Sequence, residues 1–161
     1  MAASPNQSKP GLSGLSFFDR FIATGFFSGF FPVAPGTAGS AAALLFFLIP
    51  GFSAWYVLIP ASVILFALGG RAAGKAEALL GQDPSFVTVD EVVGMWTSLW
   101  LVPLTVTTAA AAFFLFRLFD IIKPSPARWF DKKSGGWNIM LDDVIAAVYT
   151  NLVLQIAVRV F

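Results

Sequence analysis

The stretch VVGMWTSLWLVPLTVTTAAAAFFLFRLF, residues 92–119, decides how this chain folds. Apart from hydroxyls and Arg117 it is apolar throughout. A helix needs about 20 residues to cross a bilayer upright, so the stretch is too long for one crossing and too short for two complete ones. Pro103, with Thr105, Thr107 and Thr108 close behind, marks a turn between two helices. The first starts near Pro84 and carries Asp90 and Glu91 inside it. The second runs to about Ile122, where Lys123-Pro124 stops it.

The surroundings are equally apolar. Of 161 residues 57% are hydrophobic and 12% charged, with mean hydropathy +0.79. Soluble domains carry about 25% charged residues, and a chain this small cannot bury so much apolar surface in one core. Much of it must face lipid. The expected architecture is a compact, multi-helix integral membrane bundle of about four to six helices, some short or re-entrant.

Residues 1–14 are polar, with Lys9 their only charge, and are expected to form a flexible tail rather than a signal peptide. Phe17 to Ala34 suggests an interfacial helix leading into an irregular loop. Apolar runs follow at Ala41–Ile49, ended by Pro50-Gly51, and at Ala54–Gly70. The polar segments Arg71–Pro84 and Lys123–Asp143 come between the inner runs, and Val144–Phe161 closes the chain. Positive residues gather in the tail, in an Arg71–Lys75 loop and in a Lys123–Lys133 loop, while the turns near Gly51 and Pro103 carry none. By the positive-inside rule the charged segments face the cytoplasm.

Composition also restricts the chemistry. Cysteine and histidine are absent, which excludes disulfides, thiolate nucleophiles, sulfur-ligated zinc or iron–sulfur sites and the histidine-based triad. A net charge of +1 without a basic tract gives no argument for a nucleic-acid partner. An enzyme of this composition works with carboxylates, Lys, Arg, hydroxyls, backbone amides or a metal bound through oxygen.

The carboxylates cluster. Asp90-Glu91 and Asp142-Asp143 sit among apolar neighbours, with Asp120 and Asp131 between them and Asp83 nearby. Two acidic pairs in hydrophobic surroundings form an oxygen-only ligand set suited to Mg²⁺. The plainer alternative is ion pairing at helix ends, with Asp142-Asp143 starting a helix. Arg117, Asp120 and Lys123 share a helix face and place cations beside those acids, joined by Arg128, as a phosphate site requires. The same cations also suit contact with lipid headgroups. In GFFSGFFPVAPGTAGS (25–40), amides at a helix start and the hydroxyls of Thr37 and Ser40 suit either a phosphate or simple capping and close packing.

The segments PVAPGTAGS (32–40), VDEVVGMW (89–96), FRLFDIIKPSPARWFD (116–131) and GGWNIMLDDVIAAV (135–148) closely resemble the phosphatidylglycerophosphatase A family, in the family's order. The resemblance implies an all-α fold around a central helix, occupying residues 15–161. It also implies a Mg²⁺-dependent phosphatase of bacterial inner membranes, converting the lipid phosphatidylglycerophosphate to phosphatidylglycerol and inorganic phosphate, with its site at the cytoplasmic headgroup level. The family's acidic positions fall on Asp90, Glu91, Asp120, Asp131, Asp142 and Asp143. Its Pro-Gly-Thr falls on Pro35, Gly36 and Thr37, and its Lys-Pro on Lys123 and Pro124.

The expected metal ligands are Asp90, Glu91, Asp120, Asp142 and Asp143. The expected catalytic groups are Glu91 or Asp120 as base, with Lys123 and Asp143. Pro35, Gly36, Thr37, Arg117, Lys123, Arg128 and Asp131 are the expected substrate contacts. Direct attack by water and a phospho-aspartyl intermediate are both open. A small polytopic transporter or channel subunit with buried carboxylates is the alternative function, and a structural membrane subunit a further one. A CDP-alcohol transferase is disfavoured by the missing Asp-Gly-Ala-Arg pattern.

Overall fold

The computed structural model describes residues 14–160, so the expected tail lies almost wholly outside the described residues. The described chain is helical, without strands. Five helices of ten residues or more, α2 (Pro35–Leu45), α3 (Trp55–Leu80), α4 (Val89–Ser98), α5 (Val106–Ile122) and α7 (Gly136–Val160), form the bundle. Two short ones, α1 (Phe17–Ala23) and α6 (Ala127–Asp131), flank it.

The apolar stretch 92–119 divides as its proline and threonines imply. Helix α5 begins with a capping box in which Thr105 and Thr108 each bond the other's backbone N–H. It ends where Lys123 turns left-handed (φ 48°) ahead of Pro124. Helix α4 starts at Val89 rather than near Pro84, because residues 81–88 form a loop at the mouth of the bundle. Asp90 and Glu91 therefore lie in its first turn.

Helix α4 is the central helix. Val89, Val92, Val93, Met95 and Trp96 are all buried, and α2, α3, α5 and α7 pack around them. A Cβ on Gly94 would come within 2.5 Å of the Phe116 ring, which is how closely α5 approaches. The far end of α4 is capped from α7. Asn151 donates to the carbonyls of Ser98 and Trp100, and Gln155 to those of Trp100 and Leu101. These side chains satisfy backbone acceptors that hydrocarbon could not.

Two expected boundaries move. Arg71–Lys75 is not a loop but the continuation of α3, and α7 begins at Gly136, ahead of the apolar run. The reason is one contact: a Cβ on Gly136 would lie 2.2 Å from both the Gly70 carbonyl and the Gly74 amide. Gly70 and Gly74 form a small-xxx-small pair on which the start of α7 rests. Glu77, one turn further, accepts a 2.7 Å bond from the Gly135 N–H. The helical contacts extend both helices through residues whose polarity alone suggests loop.

Helices α3 and α7 are each long and apolar enough to cross a membrane. Trp55 and Tyr56 are exposed at one end of α3, and Trp129 and Trp137 at the opposite end of the bundle. Between Trp55 and Arg71 lies about 24 Å of helix, showing Val57, Val63 and Ile64 to the outside. Two aromatic girdles separated by an apolar band match the two interfaces of a bilayer.

Candidate active site

Helices α2, α4 and α7 start at the same end of the bundle, the end at which α3 and α5 finish. The N-termini of α2 and α4 thus point the positive ends of their dipoles to one place, where carboxylates are favoured. The charged side chains collect there. A cavity of about 260 Å³ opens between them, lined by Pro35 and Gly36 of α2, Asp90 and Glu91 of α4, Arg117 and Asp120 of α5, and Asp142 and Asp143 of α7. Lys123 and Asp131, also expected from sequence, line it as well.

The acids are deeply placed: Asp90, Asp142 and Asp143 are only 8%, 6% and 3% exposed. Such groups need partners, and they divide into two kinds by what they touch. Asp142 bonds Lys123 Nζ at 2.5 Å, and Asp131 meets the same ammonium at 2.5 Å. Burial works against the charged lysine, but these two hydrogen bonds outweigh it and hold its pKa above the ordinary lysine range. Asp120 pairs with Arg117 Nη1 at 2.8 Å, and Glu91 Oε1 stands 3.8 Å from the same nitrogen.

Asp90, Glu91 and Asp143 form the other kind. Each offers a carboxylate oxygen, and these oxygens lie within 4.8 Å of one another. Asp90 Oδ1, Glu91 Oε2 and Asp143 Oδ2 are buried without a hydrogen-bond partner. Three clustered carboxylates, each keeping a buried unpartnered oxygen, fit a divalent cation such as Mg²⁺. Asp142 is turned away from them, its Oδ1 accepting from the Asp143 N–H and its Oδ2 from Lys123.

The cavity as a whole is lined by seven carboxylates and three cations, a formal surplus of four negative charges. An anion would be repelled from it unless a cation entered as well. Asp142 and Asp143 do not start α7, as end-of-helix ion pairing would require; they lie in its second turn.

Two expected substrate residues lie elsewhere. Thr37 faces away from the cavity, onto the outer side of α2, because one residue of helix rotates the side chain off the face that Gly36 presents to Glu91. Arg128 is exposed on α6 and does not line the cavity. Ser40 is buried, its hydroxyl spent on the Gly36 carbonyl at 3.1 Å. Gln82, Ser85 and Lys133 line the cavity without having been anticipated. Their signal was the polar loop immediately before the first acidic pair and the cationic run before the second. Gly36 itself has a steric role, since a Cβ there would lie 2.1 Å from Glu91 Oε1 and 3.1 Å from Arg117 Nη1.

The model of the phosphatidylglycerophosphatase A family matches residues 21–158. This chain belongs to that family. Phosphatidylglycerophosphatase A of Escherichia coli K12 is 36% identical over 132 residues, covering 80% of this chain and 77% of its own. The Haemophilus influenzae protein of the same name is 39% identical over 139 residues, covering 84% and 85%. A Bacteroides thetaiotaomicron protein, provisionally named a phosphatidylinositol-3-phosphatase, is 45% identical over 151 residues, covering 88% and 94%. No solved structure matches the chain. Membership in the phosphatidylglycerophosphatase A family makes the protein a phosphatase, and places the cavity's acids in an enzyme rather than a channel.

Proposed function

We propose that this protein hydrolyses the terminal phosphomonoester of phosphatidylglycerophosphate, releasing inorganic phosphate and leaving phosphatidylglycerol, with Mg²⁺ as cofactor, at the cytoplasmic face of a bacterial inner membrane. The observation that carries the reading is the clustering of Asp90, Glu91 and Asp143, each with a buried unpartnered oxygen, beside Asp120 and Asp142, which are ion-paired. Asp90, Glu91 and Asp143 would hold Mg²⁺. When bound, the ion supplies charge neutralisation for the phosphoryl group and acidifies water.

The remaining steps fall to side chains. Arg117 and Lys123 flank the triad and bind the equatorial phosphoryl oxygens, where negative charge accumulates as the bond to the glycerol oxygen breaks. Each is already oriented, Arg117 by Asp120 and Lys123 by Asp131 and Asp142, so little reorganisation accompanies binding. Asp120 lines the cavity without belonging to the triad. It takes the proton of the attacking water as the new P–O bond forms, and the departing glycerol oxygen is protonated from solvent at the cavity mouth. Gly36 keeps the Glu91 carboxylate in place by offering no side chain against it.

Membrane placement supports the same reading. The cavity lies at the end of the bundle that carries Arg71, Lys75, Lys123, Lys132 and Lys133, the side expected to face the cytoplasm. A lipid reaches it laterally while its phosphate stays at headgroup depth.

The test is phosphate release by purified protein from phosphatidylglycerophosphate, with Mg²⁺ and with chelator, beside phosphatidylinositol 3-phosphate and phosphatidic acid. Metal-dependent release favouring phosphatidylglycerophosphate is expected. Preference for the inositol lipid would reassign the substrate in line with the name of the Bacteroides relative, and metal-independent release would overturn the cofactor.

A further inference from the structure

Helix α2 has two faces with different neighbours. Its inner face, Gly36, Gly39, Ser40 and Ala43, packs on α4. Its outer face, Thr37, Ala38 and Ala41, floors a groove of about 650 Å³. The walls are Phe30, Phe31 and Val33, which are 46%, 59% and 71% exposed. The groove is almost wholly apolar. Of its hydroxyls, Ser28 is already engaged, donating to the Gly25 carbonyl at 2.8 Å.

The groove adjoins the candidate active site. Ala34 lines both it and the carboxylate cavity. Its left-handed backbone (φ 50°, ψ 64°) turns the chain from the phenylalanine loop into the first turn of α2.

The groove also runs in an informative direction. Helix α2 lies parallel to α4. Gly36 sits beside Glu91 at the charged end, and the Ala43 carbonyl accepts from Trp96 Nε1 at 3.1 Å deeper in the bundle. From Thr37 to Ala41 the groove floor therefore descends about 6 Å away from the charged end, toward the apolar band. A polar, cation-requiring cavity at one end and an open apolar channel leaving it inward match an amphiphile that carries its phosphate and its hydrocarbon on one molecule.

We propose that this groove seats an acyl chain of the lipid whose phosphate occupies the cavity, and so sets the enzyme's preference for long-chain lipid phosphates over water-soluble phosphomonoesters. The proposal rests on the lipid phosphatase reading above. Thr37 then belongs to the acyl path rather than to the phosphate site.

Two measurements test it. The first is photo-crosslinking of the full chain in detergent micelles, using a diacyl lipid phosphate with a diazirine near the carboxyl end of one acyl chain. Label in the segment carrying Phe30 to Ala41, competed away by unlabelled lipid phosphate, is expected. Label confined to the outer faces of α3 and α7 would overturn the proposal. The second fills the groove with Ala41→Trp, at an exposed position where the bundle is not disturbed. The ratio of kcat/KM for a long-chain over a short-chain lipid phosphate should fall about tenfold, the scale on which an apolar pocket discriminates chain length. An unchanged ratio would overturn the proposal, whether both activities persist or both decline together. If wild-type protein hydrolyses neither lipid, the phosphatase reading itself fails, and the crosslinking pattern alone still decides what the groove holds.

Discussion

Replacing Gly36 by alanine adds a single methyl group at the point where α2 meets the acids. That methyl would stand 2.1 Å from Glu91 Oε1 and 3.1 Å from Arg117 Nη1. Ordinary contact requires the carboxylate to retreat by more than about 1 Å, and a displacement of that size in a catalytic constellation costs about 100-fold in rate. Stability should move the other way or hardly at all. The obstructing atoms are the far end of a flexible side chain, and alanine within a helix is favoured over glycine by about 0.5–1 kcal/mol. The assay is phosphate release at saturating Mg²⁺ beside a thermal melt in detergent. Gly74→Ala serves as control, since its Cβ would meet Gly136 only at an ordinary 3.6 Å. A loss of activity with an unchanged melt is expected for Gly36→Ala, and neither loss for Gly74→Ala. Near-wild-type activity in Gly36→Ala would refute the placement of Glu91 as a functional group.

Other substitutions separate positioning from packing. Lys123→Met strands Asp142 and Asp131 and should lower activity together with stability. Removing one partner of a buried pair costs about 3–5 kcal/mol; with Lys123 a quarter exposed, about 2 kcal/mol, or a melt lower by about 4–8 °C, is expected. Glu77→Ala removes the acceptor for the Gly135 N–H and should cost about 1–3 kcal/mol, while Glu77→Gln, which keeps an acceptor, should restore the melting temperature. The hydrogen bond from Lys75 holds Asp19 below the usual carboxylate range. The stability it contributes is present above the ordinary aspartate pKa and is lost as pH falls through the lowered one. Asp19→Asn should therefore melt below wild type at neutral pH, with the gap closing in acid; a gap that persists there would refute the pair's contribution.

Much of the fold could be read in advance because lipid imposes simple constraints. The turn at Pro103, the hydroxyl cap at Thr105 and the stop at Lys123-Pro124 follow from local chemistry, and each stands where its residues require. The polar stretch 71–80 misled because its charge pattern was legible but its contacts were not. Arg71 and Lys75 are exposed, whereas Ala72, Ala73 and Ala76 are buried on the opposite face. Helix α7 reaches back to Gly136 only because Gly70 of α3 and Gly136 itself put no side chain between the two helices.

The site divides in the same way. Acidic pairs in apolar surroundings announced themselves, as did the cations spaced along α5. Which acids face one another and which are taken up by Lys123 and Arg117 depended on helix rotation, as did the turning of Thr37 to the opposite side of α2. No residue type encodes such an angle. It is set by which side chains are small enough to let two helices touch.

The central claim is that Asp90, Glu91 and Asp143 together hold a divalent cation. Binding of Mn²⁺ to purified protein, followed by its electron paramagnetic resonance and displaced by Mg²⁺, tests it without reference to turnover. Wild-type protein should bind the ion, and Asp90→Asn, Glu91→Gln and Asp143→Asn should each weaken binding by more than about 100-fold, beyond what loss of an outer-shell partner costs. Asp131→Asn, outside the triad, should bind nearly as wild type does. Wild-type affinity retained in all three triad variants would contradict the account.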